Sequence, residues 1–386
     1  MIKRLVLNRF VPFPLNCAAP RIIVWQFTRR ARRYFAVATI RDLARMTGVS
    51  TTTVSNVLNG KTGAASESKT QEIFAMADKL HYRANSFAKN LKLKHSSSIG
   101  IITEDLTVFN TPEIVNGIEE YCEQRGYEAI LVNMRLFKRY HNDLTDTPEH
   151  AALFENIISN LLAKRVEGII YIGYHCRKVS YYPPDPQFPF VYAYCLPANE
   201  RYPAVLFDDR QAAQRVGEIL IDKGHRKIGV ICGPLTSMDA QSRLAGYQQA
   251  LHNSGLSYDA STTFIGDWTR DSGYSCAKRL LDMNVTAIFA FNDMMASGVY
   301  GYCAERGLTV GRDITVFGYD DLDIASICTP ALSSVQPDLD EMGHKSAELL
   351  LAQIRKESIV VQPYYLPSTV HIRASVTSPF NADPTL

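Results

Sequence analysis

The sequence predicts a small all-α helix-turn-helix head with a hinge helix, followed by a two-lobed α/β core of doubly wound parallel sheets. Three observations carry that expectation. Apolar residues recur at helical spacing in three short blocks between residues 38 and 83. Short apolar runs then alternate with amphipathic stretches from residue 99 to about 376, the pattern of βα units. Charge is unevenly divided: residues 1–98 hold 17 Lys and Arg against 4 Asp and Glu, a surplus of 13, so the other 288 residues must sum to −11 for the chain to total +2. A basic end on an acidic body points to a polyanionic partner, and a phosphate backbone is the usual one.

Residues 1–37 form a basic extension that is given no part in the fold. The first 36 hold eight basic residues and no acidic one. A transit peptide fits that composition, and a translated upstream region with the true start near Val37 fits it better. At the other end, residues 377–386 read as a tail.

Residues 38–83 read as the DNA-binding head. Ile40, Leu43 and Ala44 share one face of a first helix; Gly48 permits a tight turn, and Val49 can plug between helices. Ser50 offers an N-cap to a second helix that turns Val54, Val57 and Leu58 inward and Thr51, Thr52, Ser55 and Asn56 outward. Ser66 can cap a third helix, with Ile73, Met76, Ala77 and Leu80 inside. An outward face of hydroxyls and a carboxamide suits the major groove, where such groups read base edges. Residues 84–98 follow as hinge helix and linker. There Leu91 lies among lysines with Phe87 a turn earlier, placed either to wedge between base steps of the minor groove or to pack a dimer.

From residue 99 the apolar runs Ile99–Ile102, Ala129–Val132, Gly168–Ile172, Phe190–Tyr194, Ile228–Ile231, Ala287–Phe291 and Ile314–Phe317 suit parallel strands buried on both faces. Amphipathic stretches such as Glu113–Arg125, Gln211–Lys223 and Met294–Arg306 lie between several of them. About 275 residues exceed one such sheet, so two lobes are expected. Ligands of open α/β sheets sit beyond the carboxyl ends of the strands. At those ends stand Thr103-Glu-Asp105 with Phe109 and Asn110, Gly233-Pro234, Gly266-Asp-Trp268, Asn292-Asp293 and Gly318-Tyr-Asp320-Asp321. An aromatic face beside carboxylate, amide and guanidinium groups suits a sugar, whose hydroxyls need directed partners and whose C–H face packs on indole.

Several function classes recede on the same residues. There is no nucleophile elbow, phosphate loop or paired-carboxylate signature, so an enzyme is not expected. The eight cysteines show no CxxC or His-paired spacing; buried free thiols in a reducing cytoplasm are expected, with no metal or other cofactor. No apolar run reaches the ~18 residues that span a bilayer. A purely periplasmic binding protein is disfavoured by the head and by the lack of a signal-peptide pattern.

The stretch Ala38-Thr-Ile-Arg-Asp-Leu-Ala-Arg-Met-Thr-Gly-Val-Ser-Thr-Thr-Thr-Val-Ser-Asn-Val-Leu-Asn59, with Lys79-Leu-His-Tyr82 and the hinge, resembles the lactose/galactose repressor family. So do Gly233-Pro-Leu235, Arg243-Leu-Ala-Gly-Tyr247, Asn292-Asp293, Gly318-Tyr-Asp320 and Thr329-Pro-Ala-Leu332, which extend the likeness to about residue 376. The resemblance implies a homodimer that reads a near-palindromic operator, with base contacts from Thr51, Thr52 and Asn56. It implies phosphate contacts from Thr39, Ser50, Tyr82, Asn85 and Lys92, and insertion of Leu91 at the operator centre. It further implies a periplasmic-binding-protein-like core over 99–376, with chain crossovers near 206, 336 and 365. The N-lobe would take 99–206 and 336–365, and the C-lobe 207–335 and 366–376. Effector positions fall on Phe109, Ser237, Asp239, Arg243, Trp268, Asn292 and Asp320. The head is most similar to purine-responsive members, and Asn56 departs from the Arg or His common there. Ser237 and Asp239 replace the Arg and Thr that recognise a nucleobase, whereas Gly266-Asp-Trp268 and Asn292 resemble a sugar pocket. A repressor answering to a small sugar is therefore expected, with a purine or other corepressor as the alternative.

Overall fold

The computed structural model describes residues 38–82, 95–140 and 147–379. The chain divides into two compact units, one up to Lys94 and one from His95.

In the first unit, helices α1 (Ile40–Thr47), α2 (Thr51–Leu58) and α3 (Glu67–Lys79) form because each has a side-chain cap at its start. Thr39 and Asp42 close a reciprocal capping box on α1, while Ser50 and Ser66 accept the third amides of α2 and α3. Gly48 ends α1 in the left-handed region at φ 68°, which lets the chain turn at once into α2. Leu43, Ala44, Val54, Val57, Ile73 and Ala77 make the core, with Val49 packed against it. The charge reading needs correcting here. Residues 38–82 hold five Lys and Arg against four Asp and Glu, so the folded head is nearly neutral. The basic surplus belongs to residues 1–37 and 83–94, outside the described residues.

The second unit holds two parallel sheets. The larger has the order β13-β7-β5-β3-β1-β2: β1 is Ser98–Thr103, β2 Glu128–Asn133, β3 Ile169–Ile172, β5 Phe190–Ala193, β7 Ala204–Phe207 and β13 Pro363–Leu366. The smaller has the order β11-β10-β8-β9, with β8 Ile228–Cys232, β9 Thr263–Ile265, β10 Ala287–Ala290 and β11 Thr315–Phe317. A short pair, β4 (Lys178–Val179) and β6 (Leu196–Pro197), flanks the larger sheet's loops. The expected apolar runs lie in these strands and are buried on both faces as parallel pairing requires, except Ala129–Val132, which is half-buried because β2 is an edge strand. Not anticipated were β7, β9 and β13, nor the antiparallel pair β12 (Ser334–Pro337) and β14 (Ser368–His371), which joins two chain segments passing between the sheets.

The larger sheet is flanked by α4 (Thr111–Glu123), α5 (Leu136–Tyr140) and α6 (Pro148–Ala163), with α12 (Leu339–Ile354) packed along α4. The smaller sheet is flanked by α7 (Asp209–Asp222), α8 (Met238–Asn253), α9 (Arg270–Asp282) and α10 (Asp293–Glu305), and the short α11 (Asp323–Ile327) follows β11. Where α4 crosses α12 the backbones touch: a Cβ on Gly117 would lie 2.2 Å from the Asp340 carbonyl, and one on Gly343 2.3 Å from that of Ile114. Among the described cysteines none is in a disulfide; six are buried and Cys328 is half-buried. No helix of the described residues is long and apolar enough to cross a membrane.

Candidate functional site

Two regions carry the functional residues. On the head, α2 presents Thr51 and Thr52 exposed, with Ser55 and Asn56 half-buried beside them. No charged residue stands on this helix, so it offers hydrogen bonds rather than electrostatic hold. Some hydroxyls named from the sequence already work locally. Thr39 Oγ1 lies 2.7 Å from Asp42, and Ser50 Oγ accepts the Thr53 amide at 3.0 Å. Tyr82 packs against the head core, its hydroxyl titrating above the ordinary range through burial. Asn85, Leu91 and Lys92 lie outside the described residues.

In the core, sequence-distant residues meet at the carboxyl ends of the strands. Arg243 on α8 is buried and donates from Nε to Asp209 at 2.9 Å and from a terminal nitrogen to the Phe291 carbonyl. The Asp320 carboxylate lies 3.8 Å away, and the guanidinium sits 3.6 Å over the Tyr319 ring. Arg243 is thus a buried group at the strand ends and not a surface cation. Trp268, left-handed at φ 71°, lies 5.9 Å from the same guanidinium. Its indole fits because residue 233 is glycine; a Cβ there would meet the ring at 2.1 Å. Asn292 is spoken for twice, since Oδ1 caps α10 through the Met295 amide and Nδ2 donates to the Trp268 carbonyl at 3.0 Å. It positions the indole. Ser237 caps α8, accepting from Ala240 at 3.3 Å.

Asp239 spans the strand ends of the two sheets: it accepts the Cys176 amide at 3.3 Å from the loop after β3. Burial, and Asp209 beside it, hold its carboxyl up to about 8. Burial likewise pushes Asp320 well above the carboxylate range. Asp320 does not cap the next helix; its amide donates at 2.8 Å to Val335 of β12. Phe109 stands apart with 45% of its surface exposed.

Sequence reasoning missed Asp209, Tyr194 and Arg177, and placed Tyr319 at the rim without its contact to Arg243. Glu104 was placed at the rim without its partners; it is fully buried and accepts from Tyr171 at 2.5 Å, the Tyr174 amide at 2.8 Å and Arg177 at 2.8 Å. Buried acids imply partners, and Glu104 following an apolar strand was the available signal. Elsewhere, Glu120, Asp340 and His344 converge within 4.8 Å at the α4–α12 crossing. Contacts of the His344 ring with Glu120 at 3.6 Å and Glu341 at 3.8 Å, and an Asn116–Asp340 hydrogen bond at 3.1 Å, account for that cluster.

Comparison with known proteins agrees with this division. Residues 39–85 match the bacterial regulatory proteins of the lacI family, and residues 218–376 a periplasmic binding protein-like domain. The chain is 32% identical over 352 residues to the HTH-type transcriptional repressor PurR of Klebsiella pneumoniae, covering 89% of this chain and 98% of that one. It is 31% identical over 346 residues to the ribose operon repressor of Escherichia coli, covering 88% and 100%. Among solved structures it resembles the lac repressor dimer bound to operator and an anti-inducer, at 27% identity and TM-score 0.71, covering 88% and 99%. It also resembles the CelR–cellobiose complex, at 25% identity and TM-score 0.59, covering 88% and 100%.

Proposed function

Starting from a chain that belongs to the lacI family of bacterial regulatory proteins, we propose a cytoplasmic, sugar-responsive repressor that acts as a homodimer and not as an enzyme. The observation that carries the sugar reading is the Trp268 indole, seated on Gly233 and oriented by Asn292, with Arg243 and Asp320 beside it. An aromatic plane next to directed carboxylate and guanidinium groups packs the C–H face of a pyranose or furanose and bonds its hydroxyls. Asp239 and Ser237 complete the polar wall, and Phe109 would close over the ligand from the other lobe.

In this reading residues 99–206 with 336–365 form one lobe and 207–335 with 366–376 the other. Sugar shifts the equilibrium between lobe arrangements only if it binds one of them better. A route to the crossovers exists, because the Asp320 amide is bonded to Val335 of β12. At the head, Thr51, Thr52, Ser55 and Asn56 read base edges, while Thr39, Ser50, Tyr82, Asn85 and Lys92 hold phosphates and Leu91 enters the operator centre.

Titrating an operator complex with mono- and disaccharides tests the reading. A sugar that weakens operator binding at fixed salt is expected. A response to hypoxanthine or guanine with none to any sugar would instead establish the corepressor alternative.

A further inference from the structure

We propose, resting on the sugar reading, that the core site selects uncharged, hydroxyl-rich effectors and rejects their anionic counterparts, because three carboxylates converge on a single guanidinium. Asp209 opens α7, Asp239 lies in the first turn of α8, and Asp320 follows β11; all three side chains are buried around Arg243. The guanidinium is already committed to Asp209 and the Phe291 carbonyl, with Tyr319 beneath it. The two other arginines nearby are likewise engaged, Arg177 by Glu104 and Arg373 by Asp321 at 2.9 Å.

Helix N-termini are the usual refuge for a phosphate, and here they are taken. The first turns of α7, α8 and α10 each carry their own carboxylate, in Asp209, Asp239 and Asp293. Each start is also capped, by Asp208, Ser237 and Asn292 respectively. Their dipoles are therefore matched from within the chain. A sugar hydroxyl can donate to such carboxylates. A phosphate ester or uronate would instead be buried beside cations and helix starts that are already engaged, and a buried charge left without a partner weakens binding by about a hundredfold or more.

The test uses the full chain and ligand pairs that differ chiefly in charge, followed by calorimetry at pH 7.5: glucose with glucose 6-phosphate, ribose with ribose 5-phosphate, galactose with galacturonate, and hypoxanthine with urate. Whichever neutral member binds is expected to do so at least about a hundredfold more tightly than its anion. An anion binding as tightly as its neutral partner overturns the charge selection while leaving the sugar reading intact. Binding of hypoxanthine without urate or any sugar overturns the sugar reading and supports charge selection.

A ligand-free readout covers a panel in which nothing binds. Asp239 faces Asp209, Arg243, Asp320, Tyr194 and Cys176. Its proton is kept in the fold to about pH 8 and lost near pH 4 in the unfolded chain, so stability should fall between those values. The Asp239→Asn variant should gain melting temperature over the parent progressively across that window. A difference that is flat with pH would show the carboxylates uncrowded, and the proposal would fail.

Discussion

Replacing Ile73 by Ala should unfold the head while sparing the core. Ile73 is fully buried at the centre of a core with only five other buried apolar residues. A unit of about 45 residues is stable by roughly 2–7 kcal/mol at 0.05–0.15 kcal/mol per residue. Truncating a buried Ile to Ala removes about 2–5 kcal/mol, the larger part of that margin. With an unfolding entropy of about 2.1 cal/mol/K per residue, near 95 cal/mol/K for the head, a loss of about 3.5 kcal/mol lowers its melting point by about 35 °C. Calorimetry of the full chain should show the head transition falling by tens of degrees and the core transition unmoved. Operator affinity, followed by fluorescence anisotropy at 10 and 30 °C, should fall steeply with temperature. The neighbouring Phe74→Ala is the control, since Phe74 is half-exposed and should cost under about 1 kcal/mol. A head transition that moves by less than 10 °C, or a core transition that moves equally, refutes the reasoning.

Three further outcomes follow from the core. Glu104→Gln leaves the Arg177 guanidinium without its carboxylate, and should destabilise the core by about 3–5 kcal/mol in urea titrations. Gly343→Ala pushes α4 off α12 against the Ile114 carbonyl and should lower the unfolding free energy by about 1–3 kcal/mol, seen as a lower denaturation midpoint with the slope unchanged. His225 accounts for part of the acid sensitivity. Burial depresses its pKa while it bridges Thr286 at 2.9 Å and the Thr377 carbonyl at 2.8 Å. The unfolded chain therefore takes up a proton first, and stability drops as pH falls through about 6.5. Thermal melts of His225→Gln should show a shallower slope between pH 7 and 5; an unchanged slope rules that role out.

Local signals carried much of this architecture. Ser50 and Ser66 were readable as helix caps, and Gly48 as a turn, because such devices act over three or four residues. Strands buried on both faces announce themselves as apolar runs, hence β1, β3, β5, β8 and β10. The strands that escaped notice, β7, β9, β13 and the β12–β14 pair, are short and owe their existence to partners far along the chain; Pro363-Tyr-Tyr-Leu366 becomes a strand only beside 204–207. The effector-side residues were nameable through Arg243, Trp268 and Asp320. Asp209 was not, because its place beside Arg243 depends on the packing of α7 against α8. Charge counted by segment also misled. A surplus assigned to the whole N-terminal end belongs to the parts flanking the three helices, eight basic residues in 1–37 and four in 83–94, so salt should govern operator affinity through those flanks and little through the helices.

The antiparallel pair of β12 and β14 has a mechanical meaning. Two connecting segments laminated by hydrogen bonds into a narrow plate resist sliding past one another and bending within their own plane, whereas separate threads would yield in every direction. The cross-links at Gln336–His371, 2.7 Å apart, and at Asp321–Arg373 stiffen that plate further. The Asp320 amide bonds to the Val335 carbonyl, so a displacement of Asp320 is felt first on the β12 side of that plate.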